Sequence, residues 1–81
     1  MSEETTAKGS LENISLSGMF GQVKLDEPVN EVEYGVISIE TQGRHELIRA
    51  LGGELSEGAR VNCTVDFEHD NVRVISVELE T

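Results

Sequence analysis

The stretch Arg60–Leu79 constrains this chain more than any other. Val61, Cys63, Val65 and Phe67 alternate with Asn62, Thr64, Asp66 and Glu68. A period of two gives a strand one dry face and one wet face. The polar run Glu68-His69-Asp70-Asn71 breaks the alternation, and a second apolar series follows at Val72, Val74, Ile75, Val77 and Leu79. Asp and Asn tolerate left-handed backbone and bond to their own main chain, so His69-Asp70-Asn71 predicts a tight turn. The whole stretch predicts a β-hairpin. A hairpin alone cannot cover its own dry face, so the rest of the chain must supply the opposite wall of a core.

The polar, aperiodic start of the chain predicts a disordered tail over residues 1–13, leaving residues 14–81 as one small domain. Ile14 and Leu16 fall on one phase, either as a short leading strand or as a tail that docks. Met19–Leu25 predicts the first main strand, with Gly21 marking a bulge or a close backbone approach. Asp26–Glu31, containing Pro28, predicts a loop. Val32–Thr41 predicts a second strand, and its apolar residues change phase between Val36 and Ile37. Either a bulge lies there or both faces carry apolar side chains. Arg44–Leu51 fits a short helix capped by Gly52, or a short strand ending in a turn. Short curved strands punctuated by glycine predict an all-β, five-stranded closed barrel, because closure hides sheet edges. An SH3-like barrel is the competing architecture.

Composition narrows the function. A chain of 81 residues buries only about 60% of its unfolded surface. A single cysteine permits neither an internal disulfide nor a thiolate zinc site, and Cys63 lies on the apolar phase of its strand. Residues 1–9 lack the apolar run of a signal peptide, and no stretch approaches the roughly 20 apolar residues of a membrane span. A soluble cytoplasmic protein is expected. Sixteen acidic residues against six basic ones give a formal charge of −10. That balance repels phosphate, and it suits either a basic protein partner or a solvated acidic surface. No nucleophile elbow, phosphate loop or paired histidine motif occurs, and His45 and His69 lie in different segments. No enzyme activity, cofactor or metal is expected.

Four segments, Gly21-Gln-Val-Lys24, Tyr34-Gly-Val-Ile37, Glu57-Gly-Ala-Arg-Val61 and Val72-Arg-Val-Ile-Ser-Val77, resemble the cold-shock domain series in order and spacing. The resemblance covers Met19 to Leu79 and implies an OB-type barrel that binds single-stranded RNA or DNA on an aromatic platform. On that pattern Lys24 keeps a basic position and Tyr34 a stacking one. Leu25 and Val36 stand where the family has aromatics, and Arg44–Leu51 has no clear counterpart of the family's third-strand motif. Each lost stacking platform removes roughly 1–3 kcal/mol per base. The resemblance therefore implies a non-enzymatic module with weak, salt-sensitive binding through Lys24, Tyr34, Arg44, His45 and Arg49. Leu25, Tyr34 and Val36 would form an exposed apolar strip suited to a protein surface. The alternative is an acidic docking regulator, or nucleic-acid mimic, aimed at a basic protein of nucleic-acid machinery.

Overall fold

The computed structural model describes residues 3–68 and 71–80. Five strands and one helix follow in the order β1 (Glu3–Glu12), β2 (Gly21–Val29), β3 (Val32–Ile37), α1 (Arg44–Ala50), β4 (Arg60–Glu68) and β5 (Asn71–Leu79). The strands close into a barrel in the spatial order β1-β2-β3-β5-β4. This is the five-stranded, OB-like barrel expected from the glycine-punctuated strands.

The hairpin at the end of the chain forms as its alternation requires. β4 and β5 pair antiparallel from Val61↔Leu79 to Glu68↔Asn71, and Val61, Cys63 and Val65 face the core. His69 and Asp70 of the expected turn lie outside the described residues. The two apolar neighbours Val74 and Ile75 are explained by a register shift. Thr64 opposes Ser76 and Val65 opposes Val74, so Ile75 is the extra residue of a bulge. The inward phase passes from Val72 and Val74 to Val77 across it.

The expected tail over residues 1–13 is corrected. Glu3–Glu12 is a ten-residue strand, paired with β4 over Glu3–Ser10 and with β2 over Gly9–Glu12. The expected first and second strands are consequently β2 and β3. The loop expected at Asp26–Glu31 is also corrected, since β2 runs on to Val29 and turns through Asn30 and Glu31, with φ of 50° and 68°. Two left-handed residues between paired Val29 and Val32 make a tight hairpin turn whose twist matches its strands. Pro28, which has no N–H to give, sits inside the break in β2–β3 register between Lys24 and Val29. β3 ends at Ile37 without a bulge. Gly35 and Ile37 face in, while Val36 faces out and is 49% exposed.

The ambiguous segment is a helix. Leu47 and Ile48 are buried and close one end of the barrel, and Gly52 follows the helix in the left-handed region, at φ 96°. The core gathers Leu11, Val23, Ile37, Leu47, Val61 and Val65 at nearly full burial. No helix among the described residues is long and apolar enough to cross a membrane.

Candidate functional site

The residues expected to bind do not form one surface. Lys24 and Tyr34 are cross-strand partners on the outside of β2 and β3, beside the Gln22–Val36 pair. Lys24 is exposed, and the half-buried Tyr34 hydroxyl donates a long 3.5 Å bond to Glu12 Oε2. Leu25 is corrected: it shares the phase of Val23, points into the barrel and is only 4% exposed, so the expected apolar strip is not formed. Arg44 is corrected as well. It is 5% exposed, its Nη1 donates to the Met19 carbonyl at 3.2 Å, and its guanidinium lies 5.4 Å from the centre of the Phe20 ring. That stacking makes it a structural cation holding the Met19–Phe20 segment against α1. His45 and Arg49 are exposed on α1.

A groove lies elsewhere. Its volume is about 980 Å³, and it is lined by Thr5–Lys8, Asp26–Val29, Gln42, Gly43, residues 62–64 and residues 76–78. Registers place Thr6 opposite Thr64, Thr64 opposite Ser76, and Lys8 opposite Asn62. These residues share the phase opposite to the buried Val61, Cys63 and Val65, so the floor is the outer surface of β1, β4 and β5. The end of β2 stands along one side, with Gln42 and Gly43 along the other. The chain is held there by a parallel bridge between Gln42 and Ser76 and by the Val77 amide bonded to the Gln42 carbonyl at 2.9 Å. A Cβ on Gly43 would meet the Val77 carbonyl oxygen at 2.2 Å, so only glycine permits that approach.

Charge stands at the rim. Arg60 of β4 reaches across β1 to donate twice to the Asp26 carboxylate of β2, and its Nε donates to Glu80 at 3.2 Å. The Arg60 hydrogen bonds hold the Asp26 carboxyl below its usual value. On the floor, Thr6, Thr64 and Ser76 make one row of hydroxyls, and the next row sets Asn62 between Lys8 and Glu78. The sequence carried part of this signal in Asn62 and Thr64, the uncharged start of a wet face that goes on to Asp66 and Glu68. Cys63 points inward, and burial pushes its thiol up to about 11.

No protein-family model matches this chain, and no curated protein matches it. Solved structures do. Apo-CusF from Escherichia coli, residues 6–88, superposes with a TM-score of 0.61 at 13% identity over 100% of this chain and 92% of its own. Ag(I)-bound CusF gives 0.60 at 13% identity over 96% and 99%, and a Cu(II)-bound CusF variant from Escherichia coli gives 0.59 at 13% over 98% and 94%. At that identity the likeness establishes a shared fold. The expectations of single-stranded nucleic acid, or of a basic protein of nucleic-acid machinery, as partner are overturned. Two of these solved barrels carry metal ions, and the platform assumed for bases is split between a core leucine, a stacked buried arginine and two separate surfaces.

Proposed function

We propose that this chain is a non-enzymatic binding module whose groove outside β1, β4 and β5 takes a small, uncharged, hydroxyl-rich ligand. The observation that carries the reading is the lining of that groove. Thr6, Thr64, Ser76 and Asn62 offer both donors and acceptors, and Lys8, Asp26, Glu27 and Glu78 line the same groove. OB-type barrels bind oligosaccharides as well as oligonucleotides, chiefly on the face of their second and third strands, and the groove here lies on another face. A net charge of −10 selects against the phosphate-bearing class of the two. The volume falls within the usual range for ligand pockets, roughly 300–1,000 Å³.

A backbone-amide NMR titration with neutral oligosaccharides tests this directly. Shifts should concentrate at Thr6, Asn62, Thr64 and Ser76. The double variant Thr64→Val/Ser76→Ala should bind about tenfold more weakly, since each lost bond is worth about 0.5–1.5 kcal/mol. Shifts confined to other surfaces, or none at millimolar ligand, would remove the groove from consideration.

A second reading rests on the Ag(I) and Cu(II) held by the CusF structures. Soft ions take thioether, thiolate and imidazole donors. Met19, His45 and Cys63 are the donors of that kind among the described residues. Burial disfavours the Cys63 thiolate, and the Arg44 guanidinium, whose charge opposes a cation, bonds to the Met19 carbonyl. Among the described residues no three His, Cys, Asp or Glu side chains gather around one point. The groove reading therefore leads. An Ag(I) arm of the same titration decides between them: stoichiometric shifts at Met19 and His45, lost in Met19→Leu, would replace it.

A further inference from the structure

The outer face of β1, β4 and β5 is built of cross-strand rows, and two of these close on themselves. Glu4, Asp66 and Arg73 stand side by side, and Arg73 donates to the Asp66 carboxylate at 2.8 Å. Arg60, beside Ser10, donates to Glu80 at 3.2 Å and to Asp26. Between these rows lie Thr6, Thr64 and Ser76, and then Lys8, Asn62 and Glu78. The last row holds a cation and an anion that do not meet. Lys8 and Glu78 are both exposed, and neither makes an ion pair among the described residues. Asn62 separates them by two strand spacings, about 9–10 Å between main chains. Its own Oδ1 is shielded from solvent and has no hydrogen-bond partner, which is uncommon for a buried polar atom.

This row has a direction. An ammonium offers only donors and an ionised carboxylate only acceptors. A molecule lying across the strands therefore meets donors over β1 and acceptors over β5. The groove walls bound its length, since the end of β2 stands beyond β1 and Gln42–Gly43 stand beyond β5. The hydroxyl row runs parallel, about 7 Å away along the strands, which makes the polar floor about 10 by 7 Å. That is the footprint of two linked sugar rings. We propose that Glu78 and Lys8 determine specificity in this groove by selecting a neutral disaccharide laid across the three strands. A vicinal diol donates both its hydroxyls to the Glu78 carboxylate. Ether oxygens of the other ring accept from the Lys8 ammonium, and a hydroxyl between them donates to Asn62 Oδ1. The terminal torsion of asparagine is soft, so the amide turns to meet it. Hydrogen bonds with an ionised partner are roughly twice as strong as neutral ones. The charged row, more than the hydroxyl row, then decides which sugar is held. This selectivity rests on the groove taking a hydroxyl-rich ligand at all.

Amide NMR titrations of the full chain with cellobiose, maltose and lactose test it. The sugar that binds is then compared with its analogue lacking the middle ring hydroxyl of the non-reducing end, and so any vicinal pair there. Glu78→Gln should weaken the parent sugar about tenfold and the analogue distinctly less. Lys8→Met should weaken both alike. The two side chains are exposed on the outer face, and an unchanged β4–β5 amide pattern verifies that each variant folds. A Glu78→Gln variant that weakens neither sugar, or both equally, overturns the assignment, while persisting shifts at Thr6, Thr64 and Ser76 leave the groove itself standing. No shift with any of the three sugars at millimolar concentration removes both.

Discussion

Cys63 stands where core and groove meet: its side chain packs inward with Val61 and Val65 while its strand forms the groove floor. Burial raises its thiol from 9.0 to about 11, because the thiolate loses its hydration inside the barrel. The folded state then favours the protonated form. The stabilisation it represents is intact below about pH 9 and is lost as pH rises through about 11. Urea midpoints measured from pH 8 to 11 should fall more steeply for the wild type than for Cys63→Ala, since lysine and tyrosine titrations are common to both. Parallel curves would mean that the thiol titrates normally. Arg44 teaches a related lesson about single residues. Its charge was readable in the sequence, but its burial under Phe20, 24 positions earlier, depends on how the barrel brings the segment before β2 against the start of α1.

At the scale of elements, β1 is the strand that serves two partners, and Gly9 is the residue where it changes from one to the other. Gly9 sits in register with both Leu25 and Val61. A Cβ there would come 2.3 Å from the Lys24 carbonyl oxygen, a main-chain atom that cannot swing aside. Gly9→Ala should therefore destabilise the fold by about 1–3 kcal/mol, the usual range for overpacking. Equilibrium urea denaturation measures it, and an unchanged midpoint would contradict the close approach. The same strand explains what the sequence concealed. On the phase of its buried Leu11, Ala7 and Gly9 are small and Thr5 is polar and exposed, so no alternating apolar signature was left and a strand looked like a tail. β4 was legible for the opposite reason, with Val61, Cys63 and Val65 each apolar and each buried. Leu25 was misplaced because the resemblance to cold-shock domains outweighed its simple alternation with Lys24. The groove was half legible: Asn62 and Thr64 were visibly on the wet face, but only closure of the barrel sets Thr6 and Ser76 beside them.

For the molecule as a whole, the balance of charge decides how it responds to its solvent. Sixteen acids share a body of 35 × 25 × 21 Å. At 0.01 M ionic strength the screening length is about 30 Å, so acids on opposite sides of the barrel still repel; at 1 M it is about 3 Å, and they do not. Against this stand the exposed pairs that salt would weaken: Arg60 with Asp26 and Glu80, and Arg73 with Asp66. Ion pairs at a surface add little to stability. A few such pairs cannot offset the mutual repulsion of a net −10, so screening should stabilise the fold. A gain of about 1 kcal/mol moves Tm by about 4–8 °C in a domain of this size. Thermal melts at neutral pH should therefore rise by several degrees between 0.01 and 0.5 M sodium chloride. A Tm that falls with salt would assign the dominant role to the Arg60 and Arg73 pairs instead.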